Sequence, residues 1–124
     1  MKLDWREKAQ VIREMFVKKR GDKLGSDNDR RYLALALGGE VGEMQNLVKK
    51  EWRGDLKKTQ KAELHHKIAM ELADIRIYLE HLADAYGVNL DEACETKTEE
   101  LKQRWPQINK PLAKAEKLKG RRLS

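Results

Sequence analysis

The sequence predicts an all-α fold, a bundle of four to five helices, on three observations. Charged residues make up 39% of the 124-residue chain and aromatics only 6%, a balance that suits long solvated helices better than a sheet. Only two prolines interrupt it. Apolar residues recur at three- and four-residue steps over long segments separated by glycine-containing turns. A chain this short is one domain at most and buries a modest share of its surface, so association between copies is expected from the outset.

The first helix is expected over about residues 4–19, where Trp5, Ala9, Ile12, Met15 and Phe16 follow a possible Asp4 N-cap and Gly21 ends the run. A polar loop covers Gly21 to Asn28. The second helix, about 29–52, carries Leu33, Ala36, Leu37, Val41, Met44, Leu47 and Val48, with Gly54-Asp55 as the turn after it. The third, about 59–86, carries Leu64, Ile68, Leu72, Ile75, Leu79 and Leu82 and stops at Gly87. Asn89-Leu90-Asp91-Glu92 reads as a capping box that opens a fourth helix running to Trp105, before Pro106.

Residues 107–124 form a basic tail. Lys110, Lys114, Lys117, Lys119, Arg121 and Arg122 face one acid, Glu116, so most of the formal +6 lies there and residues 1–106 are close to neutral. With little apolar surface the tail is expected to stay flexible, and any contact with nucleic acid is expected through it alone. Cys94, the only cysteine, excludes an internal disulfide. No apolar run approaches a membrane span and the first residues lack a signal-peptide segment, so a cytoplasmic protein without membrane contact is expected.

The chemistry is suggested by acids placed where a core belongs. Acid pairs three apart are common in so charged a chain, and the face they occupy decides their meaning. Glu40 and Glu43 fall within the stripe of Leu33, Ala36 and Leu47, and Glu71 and Asp74 within that of Leu64, Ile75, Tyr78 and Leu82. Packed as an antiparallel hairpin, the two helices bring four carboxylates into one groove, where repulsion and desolvation oppose folding unless a cation neutralises them. All-oxygen ligation suits Mg²⁺ or Mn²⁺, and lysine or arginine partners are the alternative. Gly38, Gly39 and Gly42 cost about 1 kcal/mol each inside a helix, which points to close approach of another helix or a ligand beside the first pair. In the fourth helix Lys97 and Arg104 share a stripe with Leu90, Ala93 and Leu101, as cations that neutralise the acids, grip phosphates or reach out to solvent.

Glu63 and His66 have the spacing of a di-iron helical site, but the histidine faces away from the acid stripe and no second such pair exists. His65, His66 and His81 are all expected at the surface or its margin.

Taken in order, Leu33-Ala-Leu-Ala-Leu-Gly-Gly-Glu40-Val-Gly-Glu43, Glu71-Leu-Ala-Asp74-Ile, Lys97 and Arg104-Trp-Pro106 resemble the MazG-like all-α nucleoside triphosphate pyrophosphohydrolases, over about residues 29–106. The resemblance implies that Glu40, Glu43, Glu71 and Asp74 bind Mg²⁺, and that a nucleoside triphosphate is split into monophosphate and pyrophosphate. It also implies that Lys97 and Arg104 contact the triphosphate. Leu101 stands where the family often has asparagine. Trp52, Tyr32, Trp105 and Trp5 are candidates for holding the base, with a place in the core or an interface as the alternative, and Glu43 is the candidate for orienting the attacking water. A nucleotide conjugate such as phosphoribosyl-ATP is an alternative substrate under the same resemblance. Helices with charged inner stripes close a poor core alone, so a homodimer or homotetramer is expected.

Overall fold

The computed structural model describes residues 1–54 and 56–123; Asp55, half of the expected Gly54-Asp55 turn, lies outside them. These residues form five helices and no strand: α1 (Trp5–Arg20), α2 (Asp27–Trp52), α3 (Lys58–Ala85), α4 (Leu90–Arg104) and, after a 3₁₀ turn over Pro106–Ile108, α5 (Asn109–Leu123). The chain divides into two compact units, residues 1–88 and 89–124. No described helix is long and apolar enough to cross a membrane.

In the first unit α2 and α3 are antiparallel, since Arg30 meets Tyr86, Glu40 meets Glu71, and Asn46 and Leu47 share a recess with Lys67. The caps follow local chemistry. Asp4 accepts from the Glu7 backbone N–H at 2.8 Å and Ser26 from Asp29 at 3.2 Å, satisfying N–H groups that the first turn leaves without helical partners. Gly21 closes α1 at φ +78°, where a Cβ would be strained.

The core is small: Ala9, Val17, Leu33, Leu64, Ala83 and Ala85 are its buried apolar residues. Three polar residues share it. Arg13 is 1% exposed, Asp29 0% and His81 2%. The Arg13 guanidinium forks onto both Asp29 oxygens, at 3.1 and 2.7 Å, and its Nε donates to Asp84 at 2.7 Å. Arg20 and the Gly25 N–H donate to Asp29 as well. Burial works against each charge, but these bonds outweigh it, raising the pKa of Arg13 and lowering that of Asp29. The network pins α1 to both other helices.

Two expectations change here. His81 is not marginal: it lies buried against Phe16 and Tyr78, its Nε2 2.9 Å from the Ala9 carbonyl, and burial lowers its pKa. Met15, expected in the core, is exposed, while Arg13 and Val17 take the inward face of α1. A bidentate carboxylate partner makes an arginine tolerable where a methionine was anticipated.

Within the first unit no described residue packs on the glycines of α2. A Cβ added at Gly38, Gly39 or Gly42 meets no atom within 4 Å, and Leu35 on the same face is 79% exposed.

In the second unit Asn89 caps α4 by accepting from the Glu92 N–H at 3.2 Å, the Asn89 half of the expected capping box. The basic tail, expected to be flexible, is helical over Asn109–Leu123. Its lysines, leucines and alanines are strong helix formers, and the Asn109 side chain donates to the Pro106 carbonyl at 3.0 Å. Local propensity orders a segment for which burial alone predicts no order.

Candidate metal centre

Glu40 and Glu43 stand one turn apart on α2, and the antiparallel α3 brings Glu71 to meet them. One carboxylate oxygen from each of the three lies within 4.8 Å of the others. Glu40 and Glu71 are half-buried and Glu43 is exposed, so the cluster opens to solvent on the Glu43 side. Oε2 of Glu40 and Oε2 of Glu71 are each buried without a hydrogen-bond donor.

Such an arrangement is costly when every acid is ionised. A proton shared with the Glu71 carboxyl, burial, and the charges of Glu43 and Asp74 push Glu40 up to about 7. A divalent cation answers the same need as that proton, and three carboxylates with two donorless buried oxygens are the hard-oxygen set that Mg²⁺ takes. The residues present fit the ion. Asp74, expected as the fourth ligand, is not in the group of three; its charge reaches Glu40 and Tyr78.

Recesses flank the cluster. On one side Phe16, Lys19, Arg20, Tyr32 and Tyr78 surround an opening one turn beyond Asp74 on α3. The Arg20 guanidinium lies 4.0 Å from the centre of the Tyr32 ring, and Asp22 and Asp29 hold it there. Burial and the neighbouring Tyr32 raise the Tyr78 hydroxyl pKa. On the other side Asn46, Leu47, His66, Lys67 and Met70 line a recess that Glu43 and Glu71 themselves border.

The other anticipated residues are placed as follows. Tyr32 lines the first recess. Trp52 ends α2 at 86% exposure and lines neither. Lys97 and Arg104 belong to the second unit, where Lys97 pairs with Glu100 at 3.2 Å and Arg104 is exposed at the end of α4. Sequence reasoning had Tyr78 on the stripe of Glu71 and Asp74 but gave no role to it, or to Lys19 and Arg20, which line the same recess. Nothing local signals the two cations, which a separate helix delivers.

No protein-family model, curated protein or solved structure matches the chain. The chemistry of the centre therefore rests on its own side chains.

Proposed function

We propose that the protein is a Mg²⁺-dependent nucleoside triphosphate pyrophosphohydrolase, releasing a nucleoside monophosphate and pyrophosphate. The observation that carries this reading is the convergence of Glu40, Glu43 and Glu71 with two buried oxygens that no donor among the described residues satisfies. The sequence resemblance supplies the reaction class.

Glu40 and Glu71 hold the ion from the half-buried side, with Asp74 adding negative charge behind them. When bound, Mg²⁺ supplies Lewis acidity toward phosphate oxygens. Glu43, the exposed member, orients the attacking water and accepts its proton as the water oxygen bonds to phosphorus and the bridging P–O bond breaks. Lys19 and Arg20 put positive charge beside the path of the phosphates, and Lys97 and Arg104 are retained as phosphate contacts on the resemblance.

A homodimer is part of the proposal. Leu35, Gly38, Gly39 and Gly42 lie on one face of α2 that no described residue of the first unit covers, and a second copy's helix suits so smooth a surface.

A panel of canonical and modified nucleotides, with phosphoribosyl-ATP among them, tests the function. Pyrophosphate released only with Mg²⁺ supports it and identifies the substrate; orthophosphate from every nucleotide, or no turnover, overturns it.

A further inference from the structure

The function proposed above leaves the cations of α5 unused. Lys110, Lys114, Lys117 and Arg121 succeed one another at steps of four, three and four residues, which keeps them in a strip about 60° wide and about 16 Å long. Lys110, Lys114 and Lys117 line one shallow, open depression together with Pro111 and Ala113, so the row is a feature of the folded surface. Glu116, the one acid of α5, lies off this strip. It sits near Lys102 of α4, whose pKa is raised first by its bond to Glu99 and further by the charge of Glu116. No carboxylate of α5 shares the face of the row.

The geometry selects a partner. Four charges spread along about 16 Å suit a regularly charged polymer, since a nucleic acid strand presents about one phosphate per 3.4 Å of axis and so places several phosphates along the row. The helix has no aromatic residue to stack on a base, so recognition stops at the phosphates. An anionic membrane is the weaker fit. Away from the row α5 offers Leu112 and Ala115, with Leu118 at the flank of the strip and Lys119 opposite it, far less apolar surface than a helix needs to lie in a lipid interface. We propose that Lys110, Lys114, Lys117 and Arg121 form a binding site for the phosphate backbone of a nucleic acid, independent of base sequence.

Fluorescence anisotropy of the full chain with a labelled oligonucleotide, titrated at several salt concentrations, tests this. Binding is expected to weaken with a log–log salt slope of about 3, roughly sixtyfold between about 50 and 200 mM salt. The K110Q/K114Q/K117Q variant loses most of the affinity and its slope falls to about 1, while K110R/K114R/K117R retains both. K8Q/K49Q/K61Q removes the same net charge elsewhere and binds as the parent does. The proposal is overturned by any of four results: no binding at low salt, an undiminished glutamine variant, an arginine variant as weak as the glutamine one, or an equal loss in the K8Q/K49Q/K61Q control. Binding to phosphatidylserine vesicles without binding to the oligonucleotide overturns it too, in favour of a membrane.

Discussion

Two groups of carboxylates lie on α2 and α3 about three turns apart, and the chain treats them oppositely. At one end Asp29 and Asp84 receive Arg13, with Arg20 and a backbone N–H completing the set around Asp29. Toward the middle of the hairpin Glu40, Glu43 and Glu71 meet with no cation paired to them among the described residues, and two of their oxygens are buried and donorless. Both groups face the same desolvation problem. The first solves it internally and becomes part of the core; the second leaves the solution to a proton or an added ion. Acid burial alone therefore does not distinguish the two groups; the presence or absence of supplied donors does.

The largest expected effect breaks the internally neutralised group. Asp29→Ala strands a buried guanidinium and should lower stability by about 3–5 kcal/mol in urea unfolding. A loss below 1 kcal/mol would mean that the network contributes little. At the open group, Glu71→Gln should cut Mg²⁺-dependent pyrophosphate release by about 100-fold, equivalent to about 2.7 kcal/mol, with the fold intact by circular dichroism. Full activity in this variant removes Glu71 from the centre.

Added Mg²⁺ should sharpen the contrast. At about tenfold over its dissociation constant it stabilises the parent by about 1.4 kcal/mol, read as a rise in Tm that Glu71→Gln abolishes. An equal rise in both proteins would place the ion elsewhere. The smallest effect concerns pH. The folded state raises Glu40 from 4.5 to about 7, so it holds that proton more tightly than the unfolded chain. The resulting stability is full below about pH 4.5 and is lost as pH rises through about 7. Without divalent cation, Glu40→Gln should therefore gain up to about 1 kcal/mol on the parent at about pH 8 and nothing at about pH 4. A pH-independent difference would show that Glu40 does not titrate as argued. Asp29 and His81 act in the other direction, because their lowered pKa values make stability fall as the solution is acidified.

Much of this was legible in the residues. Glu40, Glu43 and Glu71 lie inside stripes whose period is fixed by helix geometry, so their meeting followed once α2 and α3 were taken as antiparallel. The opposite group was not legible. Arg13 and His81 carry groups ordinarily left in water, and only the arrival of Asp29, Asp84 and the Ala9 carbonyl from other turns makes their burial tolerable. The α5 helix was missed for a different reason: its order comes from backbone propensity, while the expectation weighed only apolar cover.

The sequence by itself determined the all-α class, the positions of α1 to α4 to within a residue or two, and the three glutamates that share a groove. Each of these is set by local spacing, capping and breaker residues. Only the tertiary structure decided which buried charges are satisfied. That depends on donors brought from distant parts of the chain, and it separates two aspartates paired with a buried arginine from three glutamates, two of whose oxygens lack a partner among the described residues.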